Sequence, residues 1–432
     1  MKIQSPPGMR DFYPEDMRLQ NWLFDAWRRA ALAFGFSEYE GPIFEYLDLY
    51  TLKSGEAIVS ELFTFQDRGQ RNFAIRPEMT PTLARMVAAR ANTLPRPIKW
   101  FSIPRMCRAE KPQRGRLREF FQWNVDILGT EDPLADAEVV AVAVAFFKEI
   151  GLSGDDIVIR INDRIFAGAM LSSFGMGSQS FEEAFELIDC FDRLTLDEFV
   201  QSWDQRFGSV VSARTICEFL GTQNPTETYA RVSERVDASV RERFVDFRLR
   251  LEQLGIDDFC QFDLGVVRGL AYYTGCVFEA HARRPGTRAL MGGGRYDSLT
   301  ALLDGPEVPA VGFGMGDAPV LALLELLGKL PELHADLDAY VIDADRKLFP
   351  EALRLVASLR QANLRVDFSY KRIGVAKQFK QAAARAARYA IVIGQEFVDR
   401  HELTVKNLST GEQQAVPAER LRANPRATLD SI

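Results

Sequence analysis

Between residues 108 and 118 the chain carries Arg108, Lys111, Arg114, Arg116 and Arg118, and it then runs into Phe120 and Phe121. Arginine forks held on a strand–loop–strand can converge on phosphate oxygens, which side chains on a free loop do less well. Phe120 offers a flat face to a base. Glu110 and Glu119 keep the stretch from being purely cationic, and an exposed basic hairpin without a ligand would have the same composition. Upstream, "AIRPEMTPTLAR" (74–85) holds Glu78, able to accept from an ammonium, and Thr80, expected to cap the following helix. "VVRGLAYYTGCVFE" (266–279) sets Arg268, Tyr272 and Tyr273 on an expected strand. Adjacent tyrosines there point to opposite faces, so one can line a pocket while the other packs. "MGGGRYDSL" (291–299) reads as a glycine-rich turn that lets backbone approach a ligand. It lacks the GK[ST] of a P-loop and the spacing of a dinucleotide fingerprint.

These residues need elements to hold them. Pro14 suits a first helical turn, and Leu23, Trp27, Ala30, Ala31 and Phe34 follow at helical spacing up to Gly35. "FTFQDRGQRNFAIR" predicts a hairpin turning at Asp67–Gln70, and "IPRMCRAE" and "FFQWNVDIL" predict two strands flanking the cationic stretch. The segment from about 166 to 254 is polar and helical without strand alternation. From about Ala339 short apolar strands alternate with helices, one of which presents Ala352, Leu355, Val356 and Leu359 on one face. That alternation predicts a small α/β domain.

The whole chain of 432 residues has 53 Lys+Arg against 60 Asp+Glu, a net charge of −7, with 47% apolar and 26% charged residues. This is the make-up of a soluble globular protein long enough for several domains. The longest apolar run, Val139–Phe147, is too short to span a bilayer and reads as a buried helix, so no membrane partner is expected. Five scattered cysteines without CxxC spacing and only three histidines argue against a disulfide framework and a zinc site. A cytoplasmic protein without a bound metal cluster is expected. Against the acidic total, Arg346–Arg388 holds eleven Lys/Arg and two acids, a local +9. An excess so confined points to a polyanion, nucleic acid first.

In order and combination, "PPGMRDFYPED", "GPIFEY", "RPEMT", "RAEKPQRGRLREFFQWNVDILG", "RGLAYYTGCVFE" and "GGGRYD" are more specific than any one of them. With these motifs the chain resembles the histidyl-tRNA synthetase family of class II aminoacyl-tRNA synthetases along nearly its whole length. The resemblance implies an α/β (α+β) fold in which helices flank an antiparallel sheet. The catalytic domain would occupy 1–165 and 255–328, a mostly helical insertion 166–254, and an anticodon-binding-like α/β domain 337–425. It implies a homodimer that uses ATP with Mg²⁺ to join histidine to tRNA(His).

The resemblance also implies roles. Arg108 and Arg268 would be the catalytic arginines near the α-phosphate and the histidine carboxylate. Glu78 and Thr80 would hold the histidine amino group, and Gln122, Asp126, Tyr272 and Tyr273 the rest of its pocket. Glu110, Arg116 and Phe120 would complete the ATP contacts. Gln113, Arg114 and Arg118 with Lys371, Arg372, Lys377 and Lys380 of the tail would meet tRNA.

Three positions depart from that pattern. Asp126 stands where the family has Glu, Ala271 where it has Asp, and Ala318–Pro319 where it has Glu-Arg, whose arginine grips the γ-phosphate. Arg114 and Arg116 are the expected substitutes. Arg295 is expected to be structural, bonded to Asp297 or to backbone carbonyls. The departure keeps two further readings open: a histidine-sensing regulatory subunit of ATP phosphoribosyltransferase, which typically lacks such a tail, and a catalytically dead tRNA-binding paralogue.

Overall fold

Pro14 opens a helix over Pro14–Ala33, and Asp16 in its first turn accepts from the Tyr13 amide at 3.0 Å. Its buried stripe includes Leu23, Trp27, Ala30 and Ala31, the residues picked out by helical spacing. The Pro133–Glu149 helix is apolar almost all round and buried, as its Val139–Phe147 run predicts; Asp132 caps it by accepting from the Leu134 amide at 2.9 Å. The computed structural model describes residues 4–51, 61–111, 117–220, 225–267, 272–284, 287–333, 337–371 and 373–432, grouped in two compact units, Met1–Leu330 and Pro331–Ile432.

In chain order the first unit's strands are β1 (Ser37–Glu38), β2 (Phe44–Tyr46), β3 (Phe63–Gln66), β4 (Asn72–Ile75), β5 (Ile98–Ser102) and β6 (Arg105–Cys107). After them come β7 (Glu119–Leu128), β8 (Ile157–Asp163), β9 (Cys260–Phe262), β10 (Cys276–Ala282), β11 (Met291–Arg295) and β12 (Ala310–Gly316). The principal sheet runs β1-β5-β7-β12-β11-β10-β8-β9, with β6 also paired to β7. Its interior is antiparallel, as expected, while the two end pairs, β1 with β5 and β8 with β9, are parallel. A small sheet, β2-β4-β3, contains the expected hairpin.

One face of the principal sheet packs on the two long helices. Trp123 of β7 stacks on Trp27 at 5.8 Å and meets Phe146 and Phe313 edge-on. Each such aromatic contributes about 1.5–3 kcal/mol by leaving water. The described residues of 164–253 supply six α-helices, whose Phe166, Tyr229 and Phe244 stack together within the same apolar core.

The second unit contains a sheet in the order β14-β13-β15-β16-β17: β13 (Leu337–Asp343), β14 (Val366–Phe368), β15 (Ala387–Ile393), β16 (Glu402–Asn407) and β17 (Gln413–Pro417). Alternate residues of β13 feed opposite cores. Ala339 and Val341 pack with Leu355 and Leu359 of the Phe349–Gln361 helix, and Tyr340 and Ile342 with Ala382 of the Val375–Ala384 helix. The sheet is thus covered on both sides and has its own core.

Two local expectations change. Tyr272 and Tyr273 lie in the turn ahead of β10, not on a strand, so both rings can face one cavity, with centroids 4.9 Å apart. The three glycines at 292–294 are strand β11, not a turn. A Cβ on Gly293 would stand 2.3 Å from the Gly312 carbonyl, so tight strand approach accounts for that glycine.

Candidate active site

The sheet face opposite the aromatic core is where the candidate residues gather. On β7, side chains at positions two apart share a face. Trp123, Val125 and Ile127 enter the core, so Gln122, Asn124 and Asp126 look the other way. The partners of those three on β12 are Gly316, Gly314 and Gly312. A Cβ on Gly312 would fall 1.9 Å from Asp126 Oδ1, and one on Gly314 2.7 Å from the Gln122 amide carbon. Glycine at alternate positions of β12 therefore clears a floor on which β7's polar side chains can lie.

Two recesses share this floor. The inner one, about 70 Å³, is lined by Glu78, Thr80, Arg108, Gln122, Asp126, Tyr272 and Tyr273. These are the expected histidine-pocket residues apart from Arg268, which lies outside the described residues. The outer cavity, about 380 Å³, is lined by Arg108, Glu110 and Phe120 of the expected ATP set, and by Ala318 and Pro319. Arg116 of that set, with Gln113 and Arg114, lies outside the described residues.

Arg108 and Gln122 border both recesses. The Arg108 Nε donates to the Pro77 carbonyl at 3.0 Å, its Nη1 lies 3.9 Å from Glu110, and its guanidinium sits 5.4 Å from the Phe120 ring centre. The backbone carries on the pairing just beyond the strands, with the Arg108 amide donating to the Arg118 carbonyl at 2.8 Å. Arg118 is half-buried, and its Nε donates to the Glu110 carbonyl at 2.8 Å.

The inner recess is lined by two carboxylates. Glu78 accepts from the Tyr272 hydroxyl at 3.1 Å, and Asp126 from the Tyr296 hydroxyl at 2.5 Å. Burial drives Asp126 up from 3.8 to about 7, with the Tyr296 hydrogen bond opposing the rise. Burial also raises Tyr296 well above its ordinary value, so it stays a neutral donor. Thr80 is not the cap expected of it. Met79 occupies the N-cap of the Thr80–Ala88 helix without a side-chain cap bond, and Thr80 lines the recess instead.

Arg295 is structural. It is 1% exposed, forks onto Asp136 at 2.8–3.2 Å, and bonds Asp297 and the Thr130 carbonyl at 3.1 Å each. In the tail, Lys371, Lys377 and Lys380 are exposed, and so is Tyr370, at 81%; Arg372 lies outside the described residues.

Residues 8–318 match the family model for histidyl-tRNA synthetase, and residues 338–424 that for an anticodon binding domain. The histidine–tRNA ligase of Opitutus terrae is 39% identical over 98% of this chain and 97% of its own. The chain belongs to the histidyl-tRNA synthetase family. Among solved structures, a histidyl-tRNA synthetase from Nostoc superposes with a TM-score of 0.83 at 23% identity, covering 99% of this chain and all of that one. A Bacillus halodurans protein titled an ATP phosphoribosyltransferase regulatory subunit/histidyl-tRNA synthetase follows at 0.74 and 22%, covering 91% of this chain and 98% of its own. At those identities the two likenesses concern the fold alone.

Asn124, Tyr296 and Arg288, which border the recesses, escaped the sequence reading of this synthetase-family chain. For Asn124 the available signal was the period of two that it shares with Gln122 and Asp126. Tyr296 stood within the quoted "GGGRYD" motif, but its pairing with Asp126, 170 residues away, had no local signal.

The burial of Asp126 gives a prediction with two opposite signs. Its folded pKa lies above the ordinary carboxylate value, so its contribution to stability is present below about pH 4 and lost as pH rises through about 7. Asp126→Asn should therefore melt higher than the wild type at pH 8 in the ligand-free state. The same variant should bind histidine more weakly by about 1.5–3 kcal/mol, the worth of a hydrogen bond to a charged group. Calorimetry finding unchanged histidine affinity would remove Asp126 from the pocket.

Proposed function

We propose that this chain acts as a histidine–tRNA ligase, activating histidine with ATP in the two joined recesses and transferring it to tRNA(His). The observation that carries the reading is a small recess with carboxylates at Glu78 and Asp126, opening past Arg108 and Gln122 into a larger cavity beside Phe120. In this reading Glu78 and Thr80 take the histidine ammonium, Asp126 accepts from the imidazole N–H, and Gln122, Tyr272 and Tyr273 complete the pocket. A site built to accept from that donor rejects amino acids that lack it.

Adenine stacks on Phe120, with Glu110 and Arg116 as further ATP contacts. Arg108 and Arg268 stand at the α-phosphate. The histidine carboxylate oxygen attacks the α-phosphorus, the bond to the β-phosphate oxygen breaks, and pyrophosphate leaves. Two anions must meet, so the protein's task is to position them and to supply cations where charge accumulates, without a nucleophile of its own. Mg²⁺ enters with ATP as part of the substrate.

Gln113, Arg114 and Arg118 would then meet the acceptor end of tRNA, while Lys371, Arg372, Lys377 and Lys380 hold its anticodon region, with Tyr370 placed for base stacking. Residues 1–165 and 255–328 would form the catalytic domain around a helical insertion at 166–254, with 337–425 as the anticodon-binding domain. We assign the chain to the cytoplasm as a homodimer. The exposed rings of Phe44, Tyr46 and Phe65 on the small sheet support a covered surface there. Sedimentation as a monomer at micromolar concentration would remove the dimer.

The test is histidine-dependent exchange between ATP and pyrophosphate, which needs no tRNA. Arg268→Ala should lower the exchange rate about a hundredfold, as loss of a transition-state donor does, with histidine binding kept. A raised KM at unchanged kcat would make Arg268 a ground-state clamp instead. Ala318 and Pro319 on the wall of the outer cavity favour a second reading, the regulatory subunit. A wild-type protein that binds histidine but shows no exchange would put that reading first.

A further inference from the structure

The outer cavity has a second cation on its wall. Arg288, in the connection from β10 to β11, is exposed and borders the same 380 Å³ space as Arg108, Ala318 and Pro319. Backbone bonds set its place. The Leu290 amide donates to the Ala280 carbonyl at 2.8 Å, and the Leu290 carbonyl accepts from the Gly316 amide at 3.2 Å. Gly316 is the N-cap of the Asp317–Leu327 helix, whose first turn holds Pro319. Arg288 therefore departs from the chain two residues from a direct bond to the turn that bears Pro319.

We propose that Arg288 grips the terminal phosphates of ATP, in place of a cation at residue 319; this rests on the ATP-activation reading above. The charges of the cavity favour it. Among the described lining residues the cations are Arg108 and Arg288 and the acids Glu110 and Glu279. Arg108 is engaged by the Pro77 carbonyl and Phe120, which commits it to the nucleoside and α-phosphate end. Glu279, on the same cavity wall, already pairs with His281 Nε2 at 3.0 Å. Among the described lining residues, Arg288 is the second guanidinium that a triphosphate extending past Arg108 would find. Arg288 supplies a permanent charge, and its planar fork matches two phosphate oxygens at once. Its connection also follows the strand that carries Glu279, so the acid and the arginine reach the cavity from one segment.

The experiment is calorimetric titration of ATP, AMP and histidine into the full chain, as wild type, Arg288→Ala and Arg116→Ala. Arg288→Ala should raise the Kd for ATP at least about tenfold, equivalent to about 1.4 kcal/mol, and leave AMP and histidine unchanged. Retained histidine binding shows that the variant is folded. Normal ATP affinity in Arg288→Ala overturns the proposal, and so does an equal loss for ATP and AMP, because AMP has no terminal phosphates to grip. A loss in Arg116→Ala alone returns the role to the 112–116 segment and likewise overturns it. Wild-type protein that binds histidine but neither nucleotide would sink the activation reading and this proposal together. Wild-type ATP binding untouched by Arg288→Ala removes this assignment and leaves the activation reading standing.

Discussion

Arg295→Ala should cost the folded protein about 3–5 kcal/mol, the price of leaving a buried charge without its partner. Asp136 is the charge in question: both groups are about 2% exposed, and Arg295 reaches both carboxylate oxygens while tying down Asp297 and the Thr130 carbonyl. Burial alone would push the Asp136 carboxyl up, and the guanidinium opposes that. Chemical denaturation should show the first unit unfolding at lower denaturant. Replacing both partners with apolar residues, as in Arg295→Met with Asp136→Leu, should recover most of the loss, because the desolvation of the pair then disappears with it. ATP and histidine affinities of whatever variant remains folded should be normal. A variant as stable as the wild type, but defective toward ATP, would make Arg295 a ligand residue after all.

Deleting the chain from Leu337 onward should lower aminoacylation at least about a thousandfold, about 4 kcal/mol in the barrier. Much of the ATP–pyrophosphate exchange should survive. The recess residues all precede position 320, and each unit has its own apolar core. The tail's exposed Lys371, Lys377 and Lys380 sit in the stretch of local positive charge, where phosphate contacts displace counterions. Binding of tRNA by the intact protein should accordingly weaken steeply as salt rises, and the deleted form should lose most of that slope. Equal tRNA affinity and slope with and without the tail would refute the assignment.

Local pattern foretold a good part of this fold and less of its site. The Pro14–Ala33 helix, the 63–75 hairpin and the alternating tail depend on neighbours within a turn or a strand, and such periodicities are visible in one dimension. Tyr272 and Tyr273 misled because aromatic, β-favouring residues also occur in a turn when tertiary packing buries them. Thr80 misled because a hydroxyl at a helix start is ordinarily a cap, whereas here it borders a cavity. The glycines of "MGGGR" and "GFGMG" invite a turn when read singly. Their meaning appears only when β11 and β12 lie side by side with β7. Arg108 and Phe120 were legible as a phosphate fork and a stacking face from the cationic stretch itself, whereas Glu110 was legible only through a family motif.

The bond between the Phe121 amide and the Asp317 carboxylate joins residues 196 positions apart, and Arg10 reaches the same carboxylate across 307. On a translating ribosome this has a plain meaning. β5 and β7 emerge early, and the edge of β7 that will meet β12 stays open while the helices of 164–253 and the strands β10 and β11 are still being made. Contacts so distant in sequence form slowly, and an unpaired strand edge invites wrong partners meanwhile. A transcript cut short before codon 310 would therefore yield a chain without β12, and so with no floor to its site, rather than a weakened enzyme.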